Sequence, residues 1–281
     1  MKALPRSLLL FNLDLVKTFK KGSSKMLKFT IKRLLQAIPL MIGVSIIGFF
    51  IMHLAPGGPA AVYTLNPNIT IQDIDRINKI FGLDQPIYVQ YYKWATGMLT
   101  GNWGYSFFSG RPVLEIILER LPATILLMGI SFGTAIFLGI LIGALCAVKR
   151  GSIFDYLSSS TAVVLFSLPT FWLGLMAIYI FAERLGWLPS GGMYSMATER
   201  KLGDLLYHLI TPVFVLALVV MAQWSRYSRS SFLEVLYQDY IRTAKSKGLS
   251  SQRVFWWHVF PNALAPLVAL GGVQFRVLFS G

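Results

Sequence analysis

Long apolar runs alternate with shorter polar ones along this chain. Five runs reach the roughly 20 apolar residues that a bilayer core requires. They are Leu34–Leu54, Leu121–Val148, Ser158–Ala182, Leu205–Trp224 and Asn262–Gly281. The second and third exceed the minimum, which leaves room for tilt. Between the first two runs, apolar residues recur at helical spacing and predict short helices at Ile71–Phe81 and Ile87–Met98. The pattern predicts an all-α, polytopic transmembrane helix bundle.

The polar stretch between the last two runs, from Tyr240 to Leu264, has structure of its own. Ala244 and Gly248 lie four apart and share a helix face, offering a shallow place for close contact with a partner. Gly248 suits the left-handed position just past a helix end. Lys245 and Lys247 fall where the helix dipole favours cations, and Leu249 sits where a side chain packs back on the helix. Ser250 or Ser251 can cap a second helix beginning at Gln252 or Arg253. The result is helix, tight turn, helix, followed by Pro261 at the start of the last apolar run. On spacing alone the segment also reads as an ordinary basic loop with a glycine stop.

Composition fits membrane burial: 55% of the 281 residues are hydrophobic and only 14% charged, against about 25% charged in a soluble domain. The net charge of +14 first suggests nucleic acid, but its distribution excludes that reading. Residues 1–33 hold nine Lys/Arg against one Asp, and residues 225–260 hold six against Glu234 and Asp239. Lys149 and Arg150 sit between the second and third runs. The connections 55–120 and 183–204 are balanced, with five basic against five acidic and three against three. Basic residues thus collect on one side, as cytoplasmic loops do. This puts the N-terminus and the Gly248 loop inside and the long loop outside.

Chemistry for catalysis is absent from the sequence. It has no phosphate-binding G-x-x-x-x-GK[ST] motif, so ATP hydrolysis is not expected of it. His53, His208 and His258 lack metal-ligand spacing, and no cofactor is expected. Cys146 stands alone and reads as a small buried residue. No Asp or Glu lies within the five runs, which counts against an ion-coupled carrier. Arg276 is the one basic residue inside a run; it either lines a path or snorkels to an interface.

Several motifs in order resemble the dipeptide/oligopeptide/nickel subfamily of bacterial ABC importer permeases. The first run looks like that subfamily's first span, with Pro39 inside it and Leu54-Ala55-Pro56-Gly57 at its end; Gly58 replaces the usual aspartate. The long loop carries its GLD-x-P, its QY-x-x-W (Gln90, Tyr91, Trp94) and its G-D-x-G-x-S, with Asn102 for the aspartate. The loop aromatics Tyr88, Tyr91, Tyr92, Trp94, Trp103 and Tyr105 suit a membrane interface. The third run carries S-x-P-x-F-W-x-G in Pro169, Phe171, Trp172 and Gly174, then LGWLP-x-x-G in Trp187, Pro189 and Gly192. Tyr240–Leu264 resembles the cytoplasmic EAA loop.

The resemblance implies a fold with five spans present of an expected six, an external loop of short helices and a cytoplasmic helix-turn-helix coupling loop. It covers residues 26–281, as an ABC transporter transmembrane domain lacking its C-terminal part. The family continues past Gly281 with E-x-x-F-x-x-PG-x-G and one more span, without which the subunit is expected to be unstable and inactive. Residues 1–25 form a basic N-terminal extension, either an amphipathic helix on the inner face or an over-extended start. The implied function is the permease subunit of an ATP-driven importer of dipeptides or oligopeptides in the bacterial inner membrane. Nickel chelate, glutathione or another small solute is the alternative cargo, and an ion-coupled secondary carrier the alternative class. Implied partners are two ATP-binding cassette subunits, a second homologous permease, an extracytoplasmic substrate-binding protein and membrane lipid. Arg242, Thr243, Ala244, Lys247, Gly248, Leu249 and Pro261 would form the ATPase-coupling loop. Pro169, Phe171, Trp172 and Arg276 would belong to the translocation path.

Overall fold

The computed structural model describes residues 6–55, 58, 61, 70–195 and 201–279, with side chains from Lys28 onward apart from 71, 73, 75 and 277. Pro56-Gly57, residues 1–5 and Gly281 lie outside the described residues. Among the described residues the chain is helical without strands; Tyr105 and Pro112 form one isolated bridge. It divides into two compact units, 1–117 and 118–281.

In the first unit, α1 (Arg6–Leu54) runs unbroken through Pro39, with its membrane-length part at Lys28–Leu54. The basic N-terminal segment is therefore continuous with the first span rather than a separate short helix. Nothing between Arg6 and Lys28 is a strong helix breaker; Gly22 costs only about 1 kcal/mol relative to alanine. The short helices fall where the apolar spacing places them, at α2 (Ile71–Phe81) and α3 (Ile87–Thr100).

The second unit is built on α4 (Val113–Val148), whose first residues belong to the first unit, and α7 (Leu202–Leu236). These helices cross closely because α4 offers glycines at the contact. A side chain on Gly139 would come within 2.5 Å of Trp224 Cβ, and one on Gly143 within 2.4 Å of Ser228 Cβ. Small residues let backbones approach in this way between membrane helices. Trp224 is fully buried there, edge-on to Phe132, and its indole N–H donates to Gln274 Oε1 at 2.8 Å.

The third apolar run, whose proline and glycine allow a bent, closely packed helix, is broken more sharply than that. It forms α5 (Ile153–Ser167) and α6 (Thr170–Arg184), bent by 101° at the break. Pro169 explains the break: it lacks a backbone donor and pushes the preceding residue out of helical space. Leu168 is extended at φ −86, ψ 136. A side chain on Gly174 would meet nothing within 4 Å, so close packing inside this chain is not what that glycine serves. The last span also starts earlier than expected. α9 (Ser251–Gln274) joins the second arm of the helix-turn-helix to the apolar run, and a 3-10 turn, Phe275–Phe279, follows. Pro261 cannot donate to the preceding turn, and the backbone widens to a π-helix over Phe255–Val259 just before it.

Candidate functional site

The helix-turn-helix forms where the residues demand it. α8 (Asp239–Ser246) ends in a Schellman motif. Gly248 N–H donates to the Lys245 carbonyl at 3.0 Å and Leu249 N–H to the Ala244 carbonyl at 3.4 Å. That geometry holds Gly248 at φ +82, a region costly for residues with a Cβ. Ser250, rather than Ser251, caps the next helix by accepting from Arg253 N–H. Leu249 packs against the buried core.

The two faces of this element divide sharply. Ile241, Ala244, Val254 and Val259 are buried in one apolar cluster with Phe232, Ala263 and Leu267. Phe255 stacks on Phe232 at 5.9 Å, and the Ser231 hydroxyl donates to the Ala263 carbonyl at 2.7 Å inside the cluster. Ala244, 8% exposed, thus faces the chain's own core and not an open shallow surface. Its methyl is small because α8 lies close to the elements beneath it. Arg242, Thr243, Lys245, Lys247 and Gly248 form the outer face. Arg242 lies 3.6 Å from Asp239, with both side chains largely in solvent, so the pair contributes little. Pro261, also exposed, stands a helical stretch away, where α9 turns apolar.

Two polar ties that the sequence reading missed bind the connection after α4 to α7. Arg229 donates from Nε and Nη2 to the Asp155 carboxylate at 2.6 and 2.8 Å. Asp155 is 4% exposed and also accepts from Gly151 N–H. It sits in the first turn of α5, which begins five residues before the apolar run and so brings an acid into a membrane-length helix pair. Arg150 donates to the Tyr237 hydroxyl at 2.7 Å and lies over its ring. Partners 74 and 87 residues apart leave no local sequence signal. The only hint was the basic Lys149-Arg150 pair.

Of the residues expected on a path, Pro169, Phe171 and Trp172 come together at the α5–α6 break, where both aromatic rings are exposed. Arg276 is exposed on a different element, the terminal 3-10 turn. Near the break, Phe166 of α5 and Gln223, Arg226, Tyr227 and Ser230 of α7 line a cleft of about 350 Å³.

In the first unit, the Q-Y-x-x-W residues dock α3 on α1. Gln90 Oε1 lies 2.9 Å from His53 Nε2, while Gln90 Nε2 donates to the carbonyls of Leu83 and Gln85. Tyr91 and Ser45 share a hydroxyl hydrogen bond of 2.9 Å. Tyr91, Trp94 and His53 surround the buried Phe49 ring. Asn102, standing for the family's aspartate, keeps an acceptor: its Oδ1 receives Gly104 N–H at 3.2 Å.

Comparison with known proteins fits this architecture. Residues 139–281 match the family described as binding-protein-dependent transport system inner membrane component, and residues 26–128 match its N-terminal membrane component. The chain is 40% identical over 257 residues to the oligopeptide transport system permease protein AppB of Bacillus subtilis (strain 168), covering 91% of this chain and 81% of that one. It is 40% identical over 251 residues to a putative peptide transport system permease protein of Brucella suis biovar 1, covering 89% and 79%. The dipeptide transport system permease protein DppB of Alkalihalophilus pseudofirmus is 38% identical over 274 residues, covering 91% and 82%. Matched in both of that family's regions and in their order, the chain belongs to the binding-protein-dependent transport system inner membrane components.

Proposed function

We propose that this chain is the membrane-spanning permease subunit of an ATP-driven importer of dipeptides or oligopeptides, with ATP hydrolysed in separate subunits. The observation that carries the coupling half of this reading is the outer face of the helix-turn-helix. Its basic residues and turn glycine make few contacts with the chain, while the inner face is anchored in the core. The cargo follows from the oligopeptide, dipeptide and peptide permeases to which the chain is similar.

The assembly comprises two ATP-binding cassette subunits, this permease, a second homologous permease and an extracytoplasmic binding protein. It sits in the bacterial inner membrane with the N-terminus and the Gly248 turn cytoplasmic, from the Lys/Arg bias. ATP binding closes the ATPase subunits, which press on Arg242, Thr243, Lys247 and Gly248. Leu249 and Ala244 act from within, holding the turn against α7, while the exposed Pro261 marks where α9 passes into the last span. Because α9 is continuous from the turn into that span, displacement at Gly248 travels along one rod. Differential ATP affinity for the inward- and outward-open states supplies the free energy.

Uptake of labelled tri-alanine into proteoliposomes containing the full-length permease subunit and its cognate partners tests this. ATP-dependent uptake is expected. Uptake driven by a proton or sodium gradient without ATP would replace it with the ion-coupled class. Uptake of nickel chelate or glutathione in place of peptide would keep the class and change the cargo. Cysteines placed at Ser109 and Ser251, after replacement of Cys146, test sidedness; an impermeant thiol reagent on whole cells should label only the first.

A further inference from the structure

The cleft between α5 and α7 holds a cation that the coupling element does not use. Resting on the peptide-importer reading, we propose that this cleft receives the transported peptide and that Arg226 binds its terminal carboxylate. Two arginines three residues apart on α7 have different fates. Arg229 is neutralised by the two hydrogen bonds it donates to Asp155. Arg226 is exposed, lines the cleft and has no ion-pair partner among the described residues. A guanidinium presents a planar fork that matches a carboxylate with two parallel hydrogen bonds.

The rest of the lining suits a peptide. The Gln223 amide and the Tyr227 and Ser230 hydroxyls offer both donors and acceptors, as backbone amides require. Phe166 and the Tyr227 ring supply apolar wall. The apolar run of α7 ends at Trp224, so Arg226 stands just past it, where water can reach the charge.

The backbone points the same way. Phe166 is next to the α5–α6 break, and Ser167 and Pro169 are exposed. Non-helical backbone at membrane depth is tolerated where protein buries it or where it lines a water-filled cavity. This chain does not bury it, which counts against a lipid-facing groove. An anionic lipid headgroup shares this chemistry, and the two lipid compositions of the test separate it from a peptide.

The test uses the assembled transporter in proteoliposomes of phosphatidylcholine alone and of phosphatidylcholine with phosphatidylglycerol. Uptake of tri-alanine and of tri-alanine amide is measured at saturating binding protein for the parent, Arg226→Gln and Arg226→Lys. The expected result is a tenfold or greater loss of tri-alanine uptake in Arg226→Gln in both lipids, with partial recovery in Arg226→Lys. Co-purification of Arg226→Gln with its partners at the parent's yield shows that the variant folds, and its uptake of the amide should fall far less than its uptake of the acid. Equal ratios of parent to variant for acid and amide would overturn the assignment while leaving peptide import standing. A loss confined to vesicles with phosphatidylglycerol would make the site a lipid headgroup site and overturn it too. Failure of the parent to carry either peptide would overturn the import reading and this inference with it.

Discussion

The outer helix pair and the helix-turn-helix are both short elements docked on long apolar helices, yet they spend their motif residues in opposite ways. In the outer pair, Gln90, Tyr91 and Trp94 all turn inward onto Ser45, Phe49 and His53. The motif is accounted for by contacts within the chain. In the helix-turn-helix the docking is done by ordinary apolar residues, Ile241, Val254, Val259 and Phe232. Of the motif residues, Ala244 and Leu249 pack inward, while Arg242, Thr243, Lys247 and Gly248 stay outside. A side chain at Gly248 would meet nothing within 4 Å. Motif residues that the chain does not use itself are the ones we propose meet a partner.

Three substitutions probe this contrast, from the largest expected effect to the smallest. Ala244→Glu adds volume and an unpaired charge to the buried cluster. Overpacking alone costs about 1–3 kcal/mol, and the charge adds to it. Membrane abundance and thermal stability should both fall, measured by quantitative blotting and by the melting of the purified chain. Parent-like stability would mean that the face is open, as the spacing first suggested. Gln90→Ala removes one partner of His53 and two donations to backbone carbonyls, for a loss of about 1–3 kcal/mol. Hydrogen exchange should rise across residues 83–100 and stay unchanged across 239–259. A rise in both would show that the two elements are not independent. Ser250→Ala loses one long capping bond of 3.4 Å, so about 1 kcal/mol or less, with ATPase association intact.

Much of this was legible in the sequence because period and punctuation act locally. The 3.6-residue spacing placed α2 and α3, and the glycine, serine and proline around Gly248 specified a turn whose hydrogen bonds are made as the spacing requires. The family motifs ran in order, and the matched regions begin at residue 26 and extend to residue 281. What stayed hidden depends on pairing across distance. Asp155 drew no reading at all, because Arg229, which holds it, lies 74 residues on. Ala244 read as an open small residue because spacing shows which residues share a face and not what that face meets. The 101° break was understated because a proline in an apolar run permits a kink, a break or a re-entrant loop alike.

The central claim is that Gly248 turns outward for an ATPase subunit, and Gly248→Val tests it most directly. The left-handed conformation at φ +82 becomes a steric outlier for a β-branched residue. The added side chain meets no other part of this chain, so the cost to folding is confined to the turn, on the order of 1–2 kcal/mol. Membrane abundance of the variant and co-purification of the ATPase subunits are measured together, with Ser250→Ala as the control. The account predicts near-parent abundance with loss of ATPase association and of uptake. Parent-level co-purification and transport by Gly248→Val would contradict it and leave the turn an ordinary cytoplasmic connection.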